Sequence, residues 1–259
     1  MMRESKKAER IKILGAEVDP VRVDRAITMT SRLLEQNRFD YIVFVNTSAA
    51  ILGQEQEQFA RFLNDAALVL PGDKNIENAM EENLKIEEDA TYQSEYCDRL
   101  FYRLNRMGSS VYLFQEKEEE LNLLLDIFHD RYGRIQVEGS LWQEEENLDN
   151  LVNSINILAP DILLIGGNLE WMEGFWKEYG SKINASLCIC MEEMTTDNGR
   201  RIPDWVRNLH LEGIYCWLFE KPKHLWKDSI FKKRMKESDL EQQEAQEEQK
   251  IANKEEKEE

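Results

Sequence analysis

Residues 160–168 read Pro-Asp-Ile-Leu-Leu-Ile-Gly-Gly-Asn, and from Ile162 to Gly166 no side chain is polar. A strand that is apolar at every position needs cover on both faces, as in a parallel sheet with helices on each side. Leu187–Met191, LCICM, has the same character. Working outward, further apolar strand segments fall at Ile11–Leu14, Tyr41–Asn46, Ala67–Leu70, Ser110–Phe114 and Ile135–Glu138. Helical periodicity lies between them, at Pro20–Gln36, Glu55–Asp65, Ser94–Met107, Lys117–Tyr132, Gln143–Leu158 and Glu170–Tyr179. Strand and helix in alternation predict βαβ units with right-handed crossovers. The fold class is therefore α/β: a mostly parallel sheet with helices on both faces.

The chain has 259 residues, 42% of them apolar, enough for a substantial core and too many for a disordered chain. With 33 basic and 51 acidic residues it carries −18, a field that repels nucleic acid. There is no apolar run of membrane-spanning length. The opening MMRESKKAERIK has no apolar core of a secretory signal, so the expected compartment is the cytoplasm. Cys97, Cys188, Cys190 and Cys216 have no framework spacing and read as buried small apolar residues. His129, His210 and His224 are far apart, with no HExxH or CxxC, so no metal site is predicted.

The charge is unevenly placed. Lys236–Glu259 holds ten acids and four bases, and reads as a solvated, partly helical tail. Lys221–Met235, KPKHLWKDSIFKKRM, holds six bases and one acid. Lys223, Trp226, Lys227 and Phe231 give it an apolar stripe flanked by lysines, which suits an interfacial helix on an anionic membrane surface. A helix docked on the domain with its bases in solvent fits the same pattern.

In an open parallel sheet, ligands bind at the carboxyl ends of the strands. Those positions are Asn46-Thr47-Ser48, Pro71-Gly72-Asp73, Gln115-Glu116, Gly166-Gly167-Asn168 and Glu192-Glu193. Asn46 and Thr47 can hydrogen-bond a sugar or a base edge, and Gly166-Gly167 lets a ligand approach backbone. Asp73, after a tight Pro-Gly turn, is the best-placed general base. It suits a helix N-cap equally well. Glu192-Glu193 reads as a solvated loop more readily than as an acid/base pair, and Glu116–Glu120 as a solvated face.

Several segments resemble the WecG/TagA/CpsF family of bacterial glycosyltransferases. IKILGAEVDPVRVDRAI, YIVFVNTSAAI, FLNDAALVLPGD and APDILLIGG resemble its strand segments in order. RIPDWVRNLHLEGIYCWLFEKPKHLWK resembles its closing motif, with Pro203, Trp205, Leu211, Glu212, Tyr215 and Glu220 in the family spacing. Pro222, Leu225 and Trp226 follow after one extra residue, Lys221. The similarity runs from about Ile11 to Arg234.

The resemblance implies a Rossmann-like fold and an inverting, metal-independent enzyme without cofactor. Such an enzyme transfers an N-acetylmannosamine-like sugar from a UDP donor to a polyprenyl-linked acceptor at the inner membrane face. Taken with the charge pattern, this gives a Rossmann-like domain at 1–199, a basic helical C-terminal appendage at 200–235 and an acidic tail at 236–259, and a homo-oligomer stays open. Arg200, Arg201 and Arg207 fall in or beside the appendage that would reach the donor diphosphate, and guanidinium forks match phosphate geometry. Glu173 matches the final Glu of the family's Pro-Lys-Gln-Glu. Gly72 aligns with the family's proposed base, so the carboxylate of Asp73 stands one residue later. The family's Gly-Gly after the fourth strand is Gln115-Glu116 here. Two functions follow: an active glycosyltransferase, or a catalytically impaired member that binds a partner in surface-polysaccharide assembly.

Overall fold

A computed structural model describes residues 9–36, 38–81, 92–141, 148–192, 229–238 and 240. The chain divides into two compact units, Met1–Arg201 and Ile202–Glu259. The first opens with a β-hairpin, β1 (Ile11–Ile13) and β2 (Ala16–Val18), paired antiparallel. The remaining strands are β3 (Asp40–Val45), β4 (Leu68–Pro71), β5 (Ser110–Gln115), β6 (Gln136–Leu141), β7 (Ile162–Gly166) and β8 (Leu187–Met191). They form one all-parallel sheet in the order β4-β3-β8-β7-β5-β6. The α/β, Rossmann-like architecture expected from the alternation is the one observed.

The helices are α1 (Val23–Leu34), α2 (Thr47–Glu55), α3 (Glu57–Asp65), α4 (Lys74–Glu81), α5 (Tyr92–Met107), α6 (Glu118–Arg131), α7 (Leu148–Leu158) and α8 (Leu169–Tyr179). Alternation along β3 shows that both faces are covered. Tyr41 packs on Phe62 of α3 and Trp176 of α8, while Phe44, on the opposite face, packs on Tyr96 of α5. Ile162–Ile165 and Leu187–Cys190 are buried, as two-sided cover requires.

The structure departs from expectation in three places, each for a local reason. Ile11–Leu14 is not a strand of the main sheet. Leu14 takes a left-handed conformation (φ 54°), and the chain folds back at Gly15 into the hairpin. The hairpin is tied to β4 through Asp19, which is 2% exposed, accepts the N–H of Val69 (2.8 Å) and pairs with Arg10 (3.1 Å). The helix expected at Glu55–Asp65 is α3, Glu57–Asp65, but the sequence pattern gives no sign of α2 before it, which ends at Gln56, whose φ of −126° and ψ of 104° are extended. A helix α4, absent from the sequence reading, follows Asp73.

In the second unit, residues 229–238 are helical, with Lys233 and Glu237 one turn apart at 3.8 Å. Phe231 there is 5% exposed. Lys223, Trp226, Lys227, Arg200, Arg201 and Arg207 lie outside the described residues.

Candidate functional site

The polar rim of the parallel sheet begins where β3 ends. Asn46 is the N-cap of α2: its Oδ1 accepts the N–H of Ala49 (2.8 Å). Its Nδ2 donates to Glu192 Oε2, just past β8. Glu192 is therefore part of the rim and not a solvated loop residue. The contact carries the β3 end across to the end of the central strand.

Asp73 stands beside this pair, past β4. Its Oδ1 accepts from the N–H groups of Asn75 (3.1 Å) and Ile76 (3.0 Å), which caps α4. Its Oδ2 accepts the N–H of Thr47 at the start of α2 (2.6 Å). One carboxylate thus ties two helix N-termini together, and each N–H it takes is a donor the helix itself leaves unpaired. Capping, one of the two readings of Asp73, is realised. A carboxylate offers about four acceptor positions, so three bonds leave Oδ2 one position for a further proton.

Thr47 is 4% exposed, and its Oγ1 receives Asn75 Nδ2 (3.2 Å). Its N–H helps hold Asp73, so Thr47 serves the capping net. Gly72 donates its N–H to Val45 O (2.7 Å). A Cβ there would lie 3.1 Å from the Val45 backbone, so the strand end leaves little room for a side chain.

The β7–β5 end is built differently. A Cβ at Gly166 would collide with Oε1 of Gln115, so the open space that glycine provides is filled by the chain itself rather than left for a ligand. Gln115 is 0% exposed; its Nε2 donates to Leu164 O (3.3 Å), and Oε1 has no partner among the described residues. Gly167, at φ 132°, donates its N–H to Met191 O (3.1 Å), stitching the ends of β7 and β8. Glu116, half-buried, accepts the N–H of Asn168 (3.1 Å), the N-cap of α8, in an exposed hydrogen bond at the rim.

Glu173 lies apart from these groups. It accepts Gln58 Nε2 (2.8 Å) and lines a groove of about 600 Å³ between α3 and α8, over Tyr41 and Trp176. The structure thus brings Asn46, Thr47, Gly72 and Asp73 into one cluster and places Gly166 and Gly167 further along the rim. Glu192 and Gln115, not chosen from sequence, complete it; their signal was position, since each borders a strand end. Among the described residues, no group of three or more His, Cys, Asp or Glu has the geometry to hold a metal. No described helix is long and apolar enough to cross a membrane.

A parallel sheet whose capped helix N-termini and polar side chains gather at the carboxyl edge belongs to the Rossmann-like α/β class. Comparison with known families narrows this. The sequence model of the family described as "Glycosyl transferase WecG/TagA/CpsF family" matches residues 11–233, so the chain belongs to that glycosyltransferase family. No curated protein matches the chain.

Proposed function

We propose that the protein transfers an N-acetylmannosamine-like sugar from a UDP donor to a polyprenyl-linked acceptor in surface-polysaccharide synthesis, at a membrane face. Family membership supports glycosyl transfer in general, with a sugar-nucleotide donor and a lipid-linked acceptor. The observation that carries the reading to particular residues is Asp73, held by three N–H donors with an acceptor position still open on Oδ2. In this mechanism Asp73 takes the proton of the acceptor hydroxyl. The hydroxyl oxygen forms the new bond to the anomeric carbon, and the bond to UDP breaks with its electron pair leaving on the diphosphate. General-base help of this kind is worth about 10²–10⁴ in rate. Arg200, Arg201 and Arg207 are assigned to the diphosphate, and the segment 221–235 to the anionic membrane surface. No metal or cofactor is assigned.

The test is UDP release from UDP-sugars in the presence of a polyprenyl-linked acceptor. Turnover that falls at least about a hundredfold in Asp73→Asn, with the fold retained, supports the reading. Equal turnover in both forms, or none in the native chain, defeats it. A second reading, a non-catalytic family member that binds a partner, is favoured by the two carboxylates, Glu116 and Glu192, on the rim. It requires association with another transferase and no UDP affinity.

A further inference from the structure

Helix N-termini present N–H groups and partial positive charge, which an incoming phosphate would use. At the β5–β7–β8 end of the rim two of the chain's own carboxylates take N–H donors from helix-capping residues, one a backbone N–H and one a side-chain amide. Glu116 Oε2 takes the N–H of Asn168 (3.1 Å), the cap of α8. Glu192 Oε2 takes Nδ2 of Asn46, the cap of α2. Next to Glu116, Gln115, wholly buried, covers Gly166 and carries an Oε1 unpaired among the described residues.

We propose that Glu116 and Glu192 are specificity residues that bar phosphate from the β5–β7–β8 end of the rim and reserve it for uncharged, hydroxyl-bearing groups. Ionised carboxylates only accept hydrogen bonds, so they match sugar O–H donors and repel phosphate oxygens. The donor diphosphate must then be held away from these strand ends, which orients the sugar nucleotide on the rim. The inference rests on the glycosyl-transfer reading of this site.

The test uses the full chain and inorganic pyrophosphate, so no nucleoside is involved, with calorimetry at low ionic strength. Glu116→Gln and Glu192→Gln keep the side-chain shape and remove one charge each. Each is expected to bind pyrophosphate about tenfold more tightly than the native chain, with the gain shrinking as salt is added. Asp130→Asn, at the far end of α6, removes the same charge and should leave the affinity unchanged. The proposal is overturned if the native chain binds pyrophosphate as tightly as the Gln variants, if Asp130→Asn gives the same gain, or if no form binds at millimolar concentration. Should one Gln variant fail to fold, the other carries the test alone. Absence of UDP binding by the native chain would defeat the proposed function instead, and leaves the pyrophosphate result to decide this inference separately.

Discussion

The two halves of the sheet end differently. On the β3–β4 side, small and capping residues form a closed hydrogen-bond net: Asp73 joins α2 to α4, and Asn46 caps α2. On the β5–β7 side a large buried amide lies over a glycine, and one carboxylate reaches a helix cap. The first half spends its polar groups on holding helices in place. The second spends volume and charge on filling the space above the strands. Polar residues at strand ends are thus not interchangeable evidence for a ligand: some hold the scaffold, and others shape what the scaffold admits.

The largest expected effect that separates the halves is alkaline. Burial raises the phenols of Tyr41, Tyr92 and Tyr96 above the usual tyrosine range. All three hydroxyls bond within the β3–β4 half, to Phe62 O (2.5 Å), Val21 O (2.9 Å) and Thr30 Oγ1 (2.7 Å). In the unfolded chain they ionise near pH 10, so there the unfolded state releases protons that the folded state keeps. Their contribution is fully present below about pH 9 and is lost as pH rises, at about 1.4 kcal/mol per pH unit for each tyrosine. Denaturant unfolding at pH 9 and pH 11 measures the slope, and Tyr92→Phe should flatten it by one tyrosine's share. An unchanged slope would show that these phenols ionise freely in the fold.

Next is Asp73→Ala, which strips three N–H groups of their acceptor and should cost about 3 kcal/mol in chemical denaturation. Less than about 1 kcal/mol would mean that water replaces the carboxylate and that the net is ornamental. On the other half, Gly166→Ala should cost about 2 kcal/mol by displacing Gln115. In a Gln115→Ala background most of that cost should vanish, a coupling that a double-mutant cycle reads directly. Additive losses would remove Gln115 from the space above Gly166. The smallest effect is Asn46→Ala, about 1 kcal/mol for the lost cap. Asn46→Asp keeps the cap but sets a carboxylate against Glu192 in place of the amide donor, so it should be the worse of the two at neutral pH.

Much of the sheet was legible in the sequence because buried parallel strands are locally unambiguous. Ile162–Gly166 and Leu187–Met191 have the predicted ends, and β5 differs by one residue. What was missed lies where tertiary contacts override pattern. The β1–β2 hairpin depends on a left-handed Leu14, a conformation that local sequence does not announce for leucine. Helix α2 has Gly53 within it and no clean apolar stripe, and its start was marked only by the capping potential of Asn46. At the site, strand-end positions were found from topology alone. Which of them hold helices and which face the cleft depends on neighbours in other strands: Glu192 meets a residue 146 positions away. No local pattern carries that.

The strand order has a consequence for how the molecule is made. β8 sits between β3 and β7, yet it is the last strand of the sheet to leave the ribosome. Until residues 187–191 emerge, the backbone ladders join β3 only to β4, and β5 only to β6 and β7. Nascent chains therefore carry two partial sheets, each with an open apolar edge waiting for the same five residues, Leu-Cys-Ile-Cys-Met. Such edges invite pairing with other chains. A product truncated before Leu187 should aggregate rather than persist as two small folded pieces.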